Sequence, residues 1–348
     1  MPKGKKAHTS RTDGTVSQST EAMAAPRKFS EPLRIGILRG QENSFPEGLI
    51  ANINREAEAQ KRPIVAEFIK IGGIKMAEPC PYTIILDRIS HEIDFYRAYL
   101  KNAVLSGTYV VNNPFWWSAD DKFFNYSLAT RMGIPVPKTV VLPSNEHPPN
   151  TTSESMRNLI YPLNWQECFD YVGFPLWLKP FDGGGWKHVY KIHSPQEFFE
   201  KYNQTGTICM VMQEGIEFEE YYRCYCVGKK HVHIMPYEPR NPHHLRYQAN
   251  FTPSEEMRKT LEKYSIAICE ALGYDLNTIE FAVRDGVPYA IDYMNPAPDA
   301  DYHSVGHDNY TWIVQTMTTF LMDKAEEVAR TGHLQRESFR WDKFLNGC

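Results

Sequence analysis

Short apolar runs separated by helical spacing open the ordered part of the chain. Leu33-Arg34-Ile35-Gly36-Ile37-Leu38 reads as a buried strand, and a helical stretch starts at Pro46. A second strand is predicted near Ile64 to Ile71, and Ile84-Ile85-Leu86-Asp87 and Tyr109-Val110-Val111 continue the series around a helix from His91 to Leu105. Strands that alternate with helices argue for a small parallel sheet of the doubly wound type.

Farther along the pattern changes. Ser118-Ala119-Asp120-Asp121 fits a capping box, and Phe124, Leu128 and Met132 form a helical stripe closed by Gly133. The polar, Pro-rich segment from Pro143 to Asn164 reads as a surface excursion. Trp165, Phe169 and Val172 mark a short helix before the strand Leu176 to Lys179, and Ser194-Pro195-Gln196-Glu197 caps another. The strand Ile208 to Gln213 follows, then a hairpin of Tyr221 to Val227 with His231 to Met235 across Gly228-Lys229-Lys230. Thr252-Pro253-Ser254-Glu255 opens a helix striped by Met257, Leu261, Tyr264 and Ile268. A second hairpin pairs Thr278 to Val283 with Tyr289 to Tyr293 across Asp285-Gly286, and a helix from Tyr310 to Arg330 ends the compact body.

Composition narrows the class. At 348 residues the chain is long enough for two or three packed domains, and 42% hydrophobic with 13% aromatic residues suits a soluble globular protein. No run of eighteen apolar residues occurs, which argues against a membrane span. The first thirty residues are rich in Lys, Ser, Thr and Ala without an apolar stretch and read as a disordered tail rather than a secretory signal. Through Glu31 this tail carries a charge of +3, leaving about −7 on the remainder of a chain whose total is −4. An acidic body argues against nucleic acid as a partner. Seven cysteines without a C-x-x-C pair fit reduced thiols and a cytoplasmic location. Cys224 and Cys226 share a strand face, where core packing outweighs metal binding.

Candidate chemistry gathers around two lysines. Lys122 lies in the first turn of the helix that leads to Gly133-Ile134-Pro135-Val136-Pro137-Lys138-Thr139. Lys179 ends a strand that runs into Asp182-Gly183-Gly184-Gly185-Trp186-Lys187. A triple glycine after a strand lets successive N–H groups point at one anion, so the loop has the outline of a phosphate cradle. It lacks the Gly-Lys-Ser/Thr of a Walker loop and is no dinucleotide fingerprint. A flexible turn is the competing reading for the glycines alone.

Order and spacing carry more weight than the loop itself. Asp121-Lys122 with the Gly-Ile-Pro-Val-Pro segment, Lys179-Pro180 with the glycine loop, Gln213-Glu214 with Ile216, and an acidic hairpin closing on Asn295-Pro296 together resemble the ATP-grasp superfamily, over roughly Leu33 to Leu321. The resemblance implies an ATP-grasp fold of mixed α/β and α+β class, with an N-terminal Rossmann-like parallel-sheet domain (32–115), a first lobe with the glycine loop (116–212) and a second lobe with the metal hairpin (213–330), between the disordered tail (1–31) and a C-terminal tail (331–348). It implies ATP held between the lobes, with Lys122, Lys179, Gly183, Gly184 and Gly185 at the phosphates. Gln213, Glu214 and Ile216 would then be at the adenine and Glu220 at the ribose, Glu219 being its neighbouring rival.

For Mg²⁺ or Mn²⁺ the resemblance implies Glu280, Asp292 and Asn295, since such cations take hard oxygen ligands. Tyr293 stands where the family's Glu-x-Asn has its glutamate, and Asp292 is one residue early, so Asp292 serves only if a bulge or register shift turns it to the proper face. Asp299 and Asp301 are its substitutes. The family's basic residue two positions before the first metal ligand is replaced by Thr278. Arg223 and Arg246, with Asn250, sit where relatives gather groups for a carboxylate or acyl phosphate, which a planar guanidinium suits. Asp87-Arg88 is a further candidate contact, or else a capped loop. The implied activity is an ATP-dependent ligase joining a small-molecule carboxylate to an amine. A small-molecule kinase of the same fold and a non-catalytic ATP-binding regulatory protein are the alternatives. The oligomeric state stays open, a dimer being compatible.

Overall fold

A computed structural model describes residues 31–115, 121–182, 187–247 and 251–331. In chain order its elements are β1 (Leu33–Leu38), α1 (Ser44–Ala59), β2 (Ile64–Phe68), β3 (Ile84–Asp87), α2 (Asp94–Leu105) and β4 (Tyr109–Val111). There follow α3 (Lys122–Arg131), β5 (Thr139–Leu142), α4 (Trp165–Val172), β6 (Leu176–Pro180), β7 (Tyr190–Ile192), α5 (Pro195–Tyr202) and β8 (Met210–Glu214). The last group is β9 (Glu220–Val227), β10 (His231–Pro236), α6 (Glu255–Leu272), β11 (Leu276–Arg284), β12 (Val287–Asp292), α7 (Tyr302–Val305) and α8 (His307–Thr331). Among the described residues, no helix is long and apolar enough to cross a membrane.

These strands make three four-stranded sheets. The first, ordered β2-β1-β3-β4, is parallel throughout, as the alternation of strand and helix predicts. The second, β5-β8-β6-β7, and the third, β10-β9-β11-β12, are antiparallel and form the two lobes. At the tip of the last hairpin Asp285 and Gly286 both have positive φ, +53° and +72°, the geometry that a two-residue turn between right-twisted strands requires.

Local signals were read with small errors at element ends. Asp121, not Ser118, caps α3: its carboxylate accepts from Phe124 N at 2.7 Å, and the helix starts at Lys122, three residues later than a cap at Ser118 would place it. Ser118 itself lies outside the described residues. The helix expected from His91 begins at Asp94 because Ile93 is still extended, and the strand expected to reach Ile71 ends at Phe68. Within the expected opening Thr252-Pro253-Ser254-Glu255 it is Ser254 that caps α6, and Gly273 closes it in the left-handed conformation.

The sheets are locked together by α8 and by one asparagine. Ile313, Met317 and Leu321 of α8 pack with Ile35 and Ile37 of β1 on one side and Tyr225, Val227 and Leu276 of the third sheet on the other, in a single apolar cluster. Asn112, just past β4, donates to Leu276 O at 2.7 Å and accepts from Asp275 N at 2.8 Å and Leu276 N at 2.9 Å. Beside it the Tyr109 hydroxyl donates to Asp275 at 2.6 Å. Cys224 and Cys226 are both buried in the core beneath α6, as the packing reading has it. Asn112→Ala should cost about 3 kcal/mol of unfolding free energy, because it strands buried backbone groups on β11; a denaturant titration showing less than about 1 kcal/mol would remove this docking role.

Candidate active site between the two lobes

The last hairpin decides which face its carboxylates occupy. Along β9, Tyr222, Cys224 and Cys226 point to the α6 side, so Tyr221, Arg223 and Tyr225 point to the other. Glu280 of β11 pairs with Arg223 and shares that second face. From the tip of the hairpin the pairing runs Phe281 with Ala290, and then Glu280 with Asp292, so Ile291 is an extra residue on β12. This β-bulge turns Asp292 toward the face of Glu280 and sends Tyr293 into the core beneath α6. Asp299 and Asp301 do not stand in for it. Asp299 is used by Ser304 and by Asp301 N, and Asp301 caps α7 and accepts from Ser44.

One tyrosine ties this hairpin to the first lobe. The Tyr126 hydroxyl, from α3, donates to the carbonyl of the bulged Ile291 at 2.6 Å and accepts from Lys179 Nζ at 2.9 Å. Sequence reading overlooked Tyr126; its signal is the helical i,i+4 spacing from Lys122, which sets both on one face of α3. Lys179 also donates to Gln213 Oε1 at 2.7 Å, and Gln213 in turn donates to Thr139 at 2.9 Å. Gln213 is thus only 2% exposed and serves as an anchor for Lys179. Burial lowers the pKa of Lys179 to about 8, with Asp292 and Glu280 pulling it back up. The phosphate-type lysine and the candidate metal carboxylates therefore feel one another across the cleft.

Glu280 sits in a ring of hydroxyl and guanidinium groups. Tyr221 donates to it at 2.6 Å, and Arg223 Nε lies 3.6 Å from its other oxygen. Burial, aided by the negative Asp292, raises its pKa despite Arg223, Tyr221 and Arg246. Burial also works against the Arg223 charge, but Tyr247 and Glu280 leave it more firmly protonated than an ordinary arginine. Arg223 further donates to Tyr247 at 2.8 Å and reaches Thr278 Oγ1 at 3.4 Å, so a guanidinium borne by β9 occupies the space beside Thr278 of β11. Arg246 is held by Asn241 O at 3.1 Å, close enough for its charge to lower the Glu280 pKa.

The remaining candidates fall around this center. Lys122 opens α3, its backbone N–H bonded to Phe181 O at 3.1 Å, which brings it to the start of the glycine loop. Gly183, Gly184, Gly185 and Asn250 lie outside the described residues. Glu214, at the end of β8, pairs with Arg284 of β11 at 2.9 Å and forms a bridge between the lobes. Ile216 packs against the Tyr221, Tyr237 and Ala282 cluster. Glu220 accepts from Tyr222 at 2.6 Å and is half-buried, whereas Glu219 is exposed. Asn295 donates to Thr278 O at 2.9 Å, which turns its amide oxygen the opposite way. Asp87 is a loop cap, accepting from Ile89 N and Ser90 N, and buried Arg88 is paired with Glu42 and Pro298 O. No group of three or more His, Cys, Asp or Glu side chains converges among the described residues, so any cation here would rest on the two carboxylates and the Asn295 amide.

A parallel sheet followed by two antiparallel four-stranded lobes facing each other across Lys179 and the Glu280–Asp292 pair is the ATP-grasp fold, and comparison with solved structures shows that fold for this chain. It is similar to a D-alanine–D-alanine ligase from Bacillus anthracis complexed with ATP, at 19% identity over 87% of this chain and 99% of the other, with a TM-score of 0.58. Likewise it resembles the VanG D-Ala:D-Ser ligase from Enterococcus faecalis, at 14% identity over 86% and 99% with a TM-score of 0.56. A RimK domain ATP-grasp protein from Sphaerobacter thermophilus aligns at 16% identity over 85% and 98%, with a TM-score of 0.54. Neither a protein-family model nor a curated protein matches the sequence.

Two conservative substitutions separate the tyrosines. Tyr126→Phe removes the Lys179 and Ile291 bonds and should destabilise by about 2 kcal/mol. The Tyr293 hydroxyl is buried without a hydrogen-bond partner among the described residues, so Tyr293→Phe should be neutral or stabilising by about 1 kcal/mol. Equal unfolding midpoints for the two variants would contradict the bridge assigned to Tyr126.

Proposed function

We propose that the protein is an ATP- and Mg²⁺-dependent ligase that joins a small-molecule carboxylate to an amine through an acyl phosphate. The observation that supports this reading best is the convergence of Lys179 from the first lobe with Glu280 and Asp292 from the second, beside the buried cation of Arg223. Solved structures of the same fold that are ligases by name, one of them complexed with ATP, point in the same direction.

The donor set fits a divalent cation. Glu280 and Asp292 are hard oxygen donors on one face, and burial, with Asp292 adding to it, raises the pKa of Glu280, a cost of charge that a cation would relieve. Glu280, Asp292 and the Asn295 amide would hold it, and when bound it would neutralise charge on the transferring phosphoryl group. Lys179, and Lys122 at the glycine loop, would hold the triphosphate. In this reaction a carboxylate oxygen attacks the γ-phosphorus and ADP leaves; the amine then attacks the acyl carbon, phosphate departs and the amine loses a proton. Arg223 and Arg246 supply fixed positive charge for the carboxylate and for the oxyanion of the second step.

The assay is direct. Incubation with ATP, Mg²⁺ and pooled small carboxylic acids and amino acids should release phosphate in proportion to a new amide. Label appearing in an acid-stable phosphorylated product without free phosphate would indicate a kinase instead, and tight ATP binding with no turnover in any pool a regulatory nucleotide binder. Lys179→Ala should weaken ATP binding about 10-fold to 100-fold, and Glu280→Gln should lower turnover by about 10²-fold while ATP still binds. Undiminished ATP binding in Lys179→Ala would overturn the reading.

Protonation offers a second check. With a pKa of about 8, Lys179 is roughly half neutral at pH 8, and a bound triphosphate favours its charged form. Binding at pH 8 should therefore take up about half a proton per site from this group, and ATP affinity should fall as the pH rises above 8. Calorimetry in buffers of different ionisation enthalpy measures the uptake; the same proton count in Lys179→Met would exclude Lys179 as its source.

A further inference from the structure

We propose that the first lobe carries a second ligand site, away from the cleft, for a small organic cation borne on an apolar or aromatic body. The site is a cavity of about 570 Å³ between the segment after β5, the start of α4 and the end of α5, a size typical of small-molecule pockets. It lies on the opposite side of the second sheet from Lys179. Leu176 and Leu178 of β6 enter the apolar cluster that α4 and α5 cover, and strand alternation sends Lys179 to the other face. The excursion from Pro143 to Asn164, which the nucleotide site does not use, supplies much of its wall.

Chemistry on that wall selects a cation. Tyr161, Trp165, Phe199 and Tyr202 supply aromatic surface, with Trp165 set edge-on to Phe199 at 5.3 Å and to Tyr202 at 5.4 Å. Glu146 lines the cavity, and its carboxylate makes no hydrogen bond or ion pair among the described residues. Among the described residues no lysine or arginine lines the cavity, and the one basic side chain on its wall is the exposed His147. The last turn of α5, where Tyr202 stands, presents the negative end of a helix dipole, with Lys201 of the same turn over the Tyr190 ring and not on the cavity wall. Aromatic faces, a lone carboxylate and a helix C-terminus all favour positive charge. A neutral guest would leave Glu146 unused, and an anion would be repelled by it.

The wall is also preorganised. Glu146 N donates to Gly206 O at 2.9 Å, Ser144 donates to Glu146 O at 2.7 Å, and Tyr202 donates to Pro143 O at 2.6 Å, which fixes the loop against α5. Tyr161, by contrast, is 82% exposed and stands at the mouth, where it can cover a guest.

The test uses the full chain at pH 8 and benzyltrimethylammonium as probe, followed by the indole N–H signal of Trp165, which is assigned by its loss in Trp165→Phe. A saturable shift is expected, with benzyl alcohol and benzoate binding about tenfold more weakly. Glu146→Gln and Tyr161→Ala should each weaken the probe about threefold to tenfold with unchanged unfolding midpoints, since both side chains are exposed. Lys179→Ala should bind the probe as the unaltered chain does. No saturable shift, equal binding of benzyl alcohol, or insensitivity to both wall substitutions would overturn the proposal.

Discussion

Two carboxylates held face to face in a half-buried cleft repel each other, and the geometry around Glu280 and Asp292 is organised to keep them there. Their charge is offset by Arg223 and the Tyr221 hydroxyl from the neighbouring strand and by Lys179 from the opposite lobe. The pairing of the two carboxylates depends on the extra residue at Ile291. A regular strand would put Asp292 in the apolar core beneath α6 and Tyr293 in the cleft.

The bulge is in turn tied to the other lobe through Tyr126 and Lys179. Tyr126 grips Ile291 O with its hydroxyl and offers the same oxygen to Lys179, so one side chain couples the shape of the hairpin to the position of the lysine. Other bonds cross the same gap, Ala290 N to Pro135 O at 2.9 Å and Arg284 to Glu214 at 2.9 Å. Although α3 precedes the first lobe's sheet in sequence, Tyr126, Leu128, Ala129 and Met132 pack in the core of the second. The Gly133-Ile134-Pro135-Val136-Pro137 segment is the connection that makes this possible, leading from that core to β5.

Beside the cleft, α8 and Asn112 fasten the parallel sheet to the third sheet, on the face that carries Tyr225, Val227 and Leu276. Arg88 adds a polar tie, reaching Pro298 O in the chain that follows β12. The N-terminal sheet thus supports the loop that leaves the candidate metal hairpin, and the outer face of the first lobe stays free to build the aromatic cavity.

Much of this was legible locally. The strand and helix alternation, the Asp285-Gly286 turn, the Ser254 cap and the order of Lys122, Lys179 and the acidic hairpin follow from side-chain periodicity and backbone preferences, which act over a few residues. Element ends near Ser118, His91 and Ile71 were less legible, because capping geometry depends on backbone angles that composition constrains weakly. Sequence alone could say that Asp292 needed a bulge but not that one forms. That outcome belongs to the tertiary structure: a one-residue shift exchanges the two faces of a strand, and what holds it here is the burial of Tyr293 together with a hydrogen bond from Tyr126, 165 residues away along the chain. The partners of Gln213 and the neighbours of Arg223 were decided in the same way, by side chains that meet only once three sheets have packed.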